Sequence, residues 1–216
     1  LATGCSQEEE IVNSSNDYVE ASFTVDLGNE VQSRSLGEAD LVNKLYYGIF
    51  DQNGNAIPVI TDLAQVGANY TNDFVGEAVV TNRQATVKMQ LVKGQQYDFV
   101  FWAQVDGKNH YTIGETLKEI TVNYNGDAND ETRDAFFGSL KGFETGGNVA
   151  TEKTVILKRP FAQINFASSP SDWERAKPFI NDGDRNTAHH GLETQITLEN
   201  MYSYFDVYAG DVTGEA

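Results

Sequence analysis

One stretch near the N-terminus alternates without interruption between apolar and polar side chains: Val19-Glu20-Ala21-Ser22-Phe23-Thr24-Val25-Asp26-Leu27. Side chains of a β-strand point alternately to its two faces, so a period of two predicts a strand with one buried face. The apolar face consists of Val19, Ala21, Phe23, Val25 and Leu27. We therefore expect a half-buried strand, followed from Gly28 by a polar loop.

Further strand-like runs follow at residues 45–50, 85–91, 97–105, 119–124, 135–140 and 154–157. The run at 97–105 is apolar on both faces, which is typical of a central strand that is covered on both sides. Tight turns are indicated at Asn53-Gly54, Lys93-Gly94 and Asp106-Gly107, because these residue types tolerate positive φ. This spacing of short strands predicts an all-β fold, with a β-sandwich domain over residues 18–158.

The strand pattern is interrupted at Lys158-Arg159-Pro160, since proline cannot donate a hydrogen bond to a sheet. A second β domain is predicted over residues 159–216, with strands at 161–166 and 194–198. One short helix is expected between them, with Ser171 and Glu174 as its capping box. A segment of this length is small for an independent sandwich. We therefore expect this domain to be truncated or to borrow strands.

Composition excludes several classes of function. The 216 residues contain 15 Lys+Arg and 32 Asp+Glu, for a net charge of −17, which argues against nucleic acid and anionic lipid as partners. Hydrophobic residues at 40% are too frequent for a disordered chain. The single cysteine allows no intrachain disulfide, and no apolar run is long enough for a membrane helix.

No motif for catalysis is present. The three histidines, His110, His189 and His190, do not form an HExxH motif, and the sequence has no Gly-x-Ser-x-Gly elbow and no phosphate-binding glycine loop. We therefore expect neither an enzyme nor a cofactor.

One acidic loop partly matches a calcium site. Asp182, Asp184, Asn186 and Glu193 supply oxygen atoms at positions 1, 3, 5 and 12 of a calcium-binding loop. Thr187 stands at position 6, where such a loop has glycine. An ordinary acidic turn is therefore favoured, and no metal site is predicted.

Five aromatic residues raise the alternative of a sugar-stacking surface: Tyr46, Tyr47, Tyr97, Trp102 and Tyr111. Most of them lie within predicted strands at core spacing, which favours packing in the core or a groove. A monomeric surface protein that binds a glycan or a host protein stays the second functional hypothesis, with Tyr111 as an example of an exposed aromatic.

The first residues, Leu1-Ala2-Thr3-Gly4-Cys5, resemble the end of a bacterial lipoprotein signal, in which the cysteine carries the lipid. Ala2 occupies the position where such signals usually have leucine. The acidic run after Cys5 resembles the surface-export signal of Bacteroidetes lipoproteins. We interpret residues 1–4 as a signal remnant and residues 5–17 as an acidic tether. The alternative is an incidental free cysteine.

The order of these features resembles the Bacteroidales fimbrillins, the subunits of type V pili. The resemblance rests on the lipoprotein-like start, the alternating strand, Arg34-Ser35 in a polar loop, and Leu45-Tyr46-Tyr47-Gly48-Ile49-Phe50-Asp51 before Asn-Gly. Two further strand motifs add to it, Tyr97-Asp98-Phe99-Val100-Phe101-Trp102-Ala103 and Arg159-Pro160-Phe161-Ala162-Gln163-Ile164-Asn165-Phe166. Most of residues 1–166 is covered.

The resemblance implies transthyretin-like β-sandwiches and export as a lipoprotein through Cys5 to the outer membrane. It also implies that a trypsin-like protease cuts after Arg34, so that Ser35 becomes the new N-terminus. The removed strand would then carry Val19, Ala21, Phe23, Val25 and Leu27, and a strand of another pilus subunit would fill the groove that it leaves. The alternative for Arg34 is a solvated loop residue without a role in processing.

Overall fold

The computed structural model describes residues 17–28, 39–65, 73–124, 130–146, 151–161, 169–176, 197–199 and 201–215. Over these residues the protein is all-β, as predicted. The strands are β1 (Tyr18–Asp26), β2 (Lys44–Phe50), β3 (Ala56–Ile57), β4 (Val75–Val79), β5 (Gln84–Val92), β6 (Gln96–Gln104), β7 (Tyr111–Ile113), β8 (Glu119–Val122), β9 (Ala135–Glu144), β10 (Thr151–Ile156), β11 (Tyr202–Asp206) and β12 (Asp211–Glu215). One α-helix, α1 (Pro170–Ala176), and short 3-10 turns at Ala39–Leu41, Leu63–Gln65 and Glu131–Arg133 complete the described elements.

The strands form three sheets. The first sheet has the order β10-β1-β5, and the outer sheet has the order β12-β11-β8-β7. The middle sheet has the order β3-β2-β6-β9, and β4 also pairs with β2. No helix among the described residues is long and apolar enough to cross a membrane.

Two apolar clusters lie on opposite faces of the middle sheet. The inner core joins the middle sheet to the first sheet, and the outer core joins it to the outer sheet. Large residues of the inner core are Phe23, Leu45, Tyr47, Met89, Phe99, Phe101 and Phe143. Those of the outer core are Phe50, Val100, Trp102, Tyr111, Ile120, Phe137 and Phe205. The described residues therefore form a sandwich of three sheets.

The position of strand β6 in the middle sheet explains why both of its faces are apolar. It pairs with β2 on one side and with β9 on the other, so it lies in the centre of the middle sheet. Phe99 and Phe101 point into the inner core, whereas Val100 and Trp102 point into the outer core. The prediction of a central strand covered on both sides is confirmed.

The Asn-Gly turn also forms as predicted. Gly54 has a φ of +77°, and the antiparallel strands β2 and β3 pair around the turn. The Asp51 carboxylate accepts hydrogen bonds from the backbone N–H groups of Asn53 and Asn55, at 2.8 and 2.9 Å. The turn is thus held by a side chain that the local sequence supplies.

The C-terminal strands add to an existing sheet. Strand β11 pairs with β8 through Tyr204↔Thr121, Phe205↔Ile120 and Asp206↔Glu119. The Phe205 ring packs 4.6 Å from the Phe137 ring and 5.8 Å from the Trp102 ring, between ring centroids. The domain boundary at residue 159 stays a prediction.

The helix begins two residues earlier than expected. Ser169 and Asp172 form its cap: the Ser169 N–H donates to the Asp172 carboxylate at 2.9 Å, and the Asp172 N–H donates to the Ser169 hydroxyl at 3.2 Å. Pro170 fits the first helical position, because it has no N–H to leave unpaired. The predicted capping box of Ser171 and Glu174 was therefore wrong.

The two strands predicted after residue 160 fall largely outside the described residues, since 162–168 and 191–196 are not described. Residues 197–199 are described and form no strand, so the C-terminal end of the strand predicted at 194–198 was wrong.

Candidate functional site: the slot that holds strand β1

Strand β1 lies between two neighbours in the first sheet. It runs parallel to β10 from Ala21↔Thr151 to Asp26↔Ile156. It runs antiparallel to β5 along its whole length. We call the space between β5 and β10, which β1 fills, the β1 slot. Because both edges of β1 are paired, its removal would leave unpaired backbone groups on both neighbouring strands.

The five side chains predicted to form the apolar face of β1 are all buried. Val19, Ala21, Phe23, Val25 and Leu27 are each 8% exposed or less, so the predicted half-buried strand is confirmed. Four of them belong to the inner core; Val19, near the N-terminal end of the strand, is buried outside that cluster. The polar residues point outward, and the Lys88–Glu20 ion pair at 3.4 Å is exposed and contributes little.

Phe23 lies at the centre of the slot. Its ring centroid is 4.7 Å from that of Phe99, 5.4 Å from that of Phe143 and 6.0 Å from that of Phe101. These are the distances at which tilted aromatic pairs attract each other. The slot is therefore built around one aromatic side chain supplied by β1.

The C-terminal end of β1 is fixed by several hydrogen bonds. The Leu157 N–H donates to the Asp26 carbonyl oxygen at 2.7 Å, and the Gln84 side-chain amide donates to the Asp26 carboxylate at 2.8 Å. The Arg83 guanidinium donates to the Gly28 carbonyl oxygen, while its buried Nε has no partner among the described residues. Gly28 has a φ of +68°, and a Cβ there would lie 3.1 Å from the Leu157 carbonyl oxygen. Glycine is thus required where the chain leaves the slot.

The other predicted site residues lie outside the described residues. They are Cys5, the processing residues Arg34 and Ser35, and the calcium candidates Asp182, Asp184, Asn186 and Glu193. These assignments stay predictions. Within the part of the chain that the structure describes, no group of three or more His, Cys, Asp or Glu residues is placed to hold a metal ion.

His110 takes part in a local polar cluster. Its Nε2 lies 2.8 Å from the Thr132 hydroxyl and 3.1 Å from the Asp130 carboxylate. Burial and the nearby Arg133 lower the pKa of His110, although Asp130 opposes them. Both neighbours contact the same ring nitrogen, whereas a base in a catalytic relay is oriented through its other nitrogen. This cluster holds the 3-10 turn at Glu131–Arg133 against the start of β7.

A second polar cluster ties the C-terminal segment to the middle sheet. The Tyr208 hydroxyl donates to the Asp98 carboxylate at 2.8 Å, and the Gly142 N–H donates to it at 2.7 Å. The Lys141 ammonium lies 3.5 Å from the same carboxylate. Burial opposes ionisation of Asp98, but these contacts outweigh it and lower the pKa of Asp98. These contacts hold the C-terminal segment against the middle sheet.

The aromatic residues considered as a sugar-stacking surface do not form one. Tyr47, Tyr97, Trp102 and Tyr111 are buried, and Tyr46 is half-buried, which confirms core packing. Burial also raises the pKa of Tyr111 well above its usual range, and its hydroxyl donates to the Arg133 carbonyl oxygen at 2.6 Å. The choice of Tyr111 as an exposed aromatic was therefore wrong.

Three exposed tyrosines were missed by sequence reasoning: Tyr124, Tyr202 and Tyr204. Tyr202 and Tyr204 are the exposed aromatic residues of β11, whereas Phe205 is buried. The run Tyr202-Ser203-Tyr204-Phe205-Asp206 has no strict apolar and polar alternation, so the sequence carries no signal for which of these rings is exposed.

The three sheets, with a first strand enclosed between two others, define an all-β sandwich protein. The chain belongs to DUF6562, a family of unknown function, whose sequence profile matches residues 13–216. No curated protein matches the chain.

Solved structures with partial similarity include the fimbrial anchor protein Mfa2 from Porphyromonas gingivalis. It shares 16% sequence identity at a TM-score of 0.38, and the alignment covers 65% of this chain and 50% of that one. Two structures of the pilus-presented adhesin Spy0125 (Cpa) share 12% and 10% identity, at TM-scores of 0.24 and 0.22. Those alignments cover 65% and 66% of this chain and 27% of the adhesin in each case. The chain thus spans half or less of the length of these structures.

Proposed function

We propose that this protein is a structural or adhesive subunit of a cell-surface pilus, or fimbria. In this proposal it is exported as a lipoprotein anchored through Cys5 in the outer membrane. Cleavage after Arg34 then releases residues 1–34, including β1, and a strand from another pilus subunit takes the place of β1. Strand exchange breaks no covalent bond, so the assembly step needs no catalytic group or cofactor in this chain.

The observation that carries the proposal is the position of β1 in the chain and in the fold. β1 is the first described strand, and the chain leaves its slot at Gly28, before the segment that contains Arg34. A single cut in that segment therefore leaves residues 1–34 bound to the rest of the protein only by non-covalent contacts. Those contacts are the two backbone ladders and the five buried side chains of the strand.

An empty slot would be unfavourable. Loss of β1 exposes the inner core around Met89, Phe99 and Phe143 to water, and leaves the facing edges of β5 and β10 unpaired. Unpaired edges of this kind are filled by strand addition from another chain, in which main-chain hydrogen bonds give affinity and side-chain pockets give specificity. Replacement of β1, rather than its simple removal, is the favoured outcome.

The test is N-terminal sequencing and intact mass of the protein recovered from its native cell surface. We expect a start at Ser35 in a heat-resistant, high-mass fraction. The Arg34→Ala variant should lose both the new N-terminus and the high-mass ladder. Lys108→Ala is the matched control, because it removes an exposed cation that lies outside the segment of Arg34 and should change neither.

High-mass ladders that persist unchanged in the Arg34→Ala variant would contradict cleavage-driven assembly. A monomer with a lipidated Cys5 and with β1 retained would favour the second hypothesis, a surface lipoprotein that binds a glycan or a host protein.

A further inference from the structure

We propose that the β1 slot selects the strand that replaces β1 by the order of its side-chain sizes. The partner is an extended segment of a neighbouring subunit that runs parallel to β10. It carries a small residue at the position of Ala21, an aromatic residue at that of Phe23 and a glycine at that of Gly28. This inference rests on the proposed function and specifies the partner of the same site.

The order of sizes follows from the residues that face β1 across the first sheet. Ala21 lies directly opposite Met89, so the smallest side chain of the strand faces a long one. Two residues further on, Phe23 lies opposite Val87, and the large side chain is now on β1. Ala21 and Met89 are 1% and 0% exposed, so no solvent-filled space is left for a larger side chain at position 21.

The backbone contacts of the slot do not discriminate between sequences. Leu157 donates to the carbonyl oxygen of Asp26 in β1, and Arg83 donates to that of Gly28, two residues beyond the strand; any polypeptide segment presents such oxygens. In the native pairing β1 runs parallel to β10 and antiparallel to β5, and the replacement strand is proposed to keep that direction. Because backbone groups pair with any extended sequence, the choice among segments falls to side-chain size.

A slip by two residues would keep the backbone ladders but change every pocket contact. In one direction it places the phenylalanine against Met89, where the core is already filled. It also removes the aromatic side chain from the space among Phe99, Phe101 and Phe143 and leaves a cavity there. Overpacking and cavity formation are both destabilising, and together they lower the affinity by about 100-fold or more.

The test uses the full chain with the recognition sequence of a site-specific protease inserted between residues 29 and 38. After folding and cleavage, the protein is incubated with a labelled peptide of residues 18–28. The matched control peptide carries Ala21→Phe and Phe23→Ala, so its composition, charge and hydrophobicity are unchanged. Incorporation is measured by native mass spectrometry, and we expect the native order to be preferred by about 100-fold.

Equal incorporation of both peptides would overturn the size selection but leave strand exchange intact. Failure of both peptides to enter would contradict the proposed function instead. In that case the size selection is tested by urea unfolding of the uncleaved chain that carries both Ala21→Phe and Phe23→Ala. An unchanged urea midpoint would overturn it, whereas a midpoint lowered well below that of the unaltered chain would support it.

Discussion

Truncation of Phe23 to alanine tests whether β1 is a core strand of this protein. Phe23 is 0% exposed and contacts three aromatic rings, so Phe23→Ala removes a fully buried ring from the inner core. Buried Phe→Ala substitutions cost about 3–5 kcal/mol, and each aromatic pair adds about 0.5–1.5 kcal/mol beyond area burial. Because three aromatic pairs are lost at once, we expect the free energy of unfolding to fall by about 4–5 kcal/mol, at the upper end of that range.

The assay is urea unfolding of the uncleaved chain, followed by circular dichroism. With a slope of about 2–3 kcal/mol per molar urea, the expected loss lowers the unfolding midpoint by about 1.3–2.5 M. Thr24→Ala is the matched control, because Thr24 is the neighbouring residue on the exposed face of the same strand. Its effect should stay within about 0.5–1 kcal/mol. If the two variants lose equal stability, and less than about 1 kcal/mol, β1 is not packed as described.

Two further predictions concern other parts of the fold. Gly76→Ala should destabilise the protein by about 1–3 kcal/mol, because a Cβ there would lie 2.2 Å from the ring of the buried Tyr47. Gly146→Ala is the control: its Cβ would meet none of the described atoms within 4 Å, so its effect in the same urea assay should be near neutral. Stability should also fall as the pH drops below about 6.5, because His110 of the unfolded chain is protonated near that pH while the fold holds the pKa of His110 lower. The fall should be smaller in His110→Gln, and an equal fall in both proteins would show that His110 does not contribute.

Strands with a strict period of two were predictable from the sequence because that period comes from backbone geometry alone. The apolar face of β1 is an example, since each of its five residues is buried as predicted. β6 was predictable for a related reason: side chains such as Phe99 and Trp102 on opposite faces require a cover on each side.

The pairing of the strands was not predictable, because it depends on contacts between distant parts of the chain. Nothing local to Phe23 indicates that β5 and β10 are its neighbours. Likewise, nothing in the sequence of β11 indicates that Phe205 is the partner of Ile120. The error in the helix cap was different in kind. Ser169 and Ser171 both offer a hydroxyl, and the proline between them decided which one caps the helix.

The parallel pairing of β1 with β10 has a consequence for the time course of folding. Ala21 and Thr151 are 130 positions apart along the chain, yet they are partners in the first sheet. β1 therefore finds its second neighbour only after the 130 positions that separate these two partners have been synthesised. Pairings over such distances form slowly, because the entropy of closing a long loop is lost before any contact between the two strands stabilises it. Completion of the first sheet is accordingly a late step in folding, and until then the chain carries an open edge.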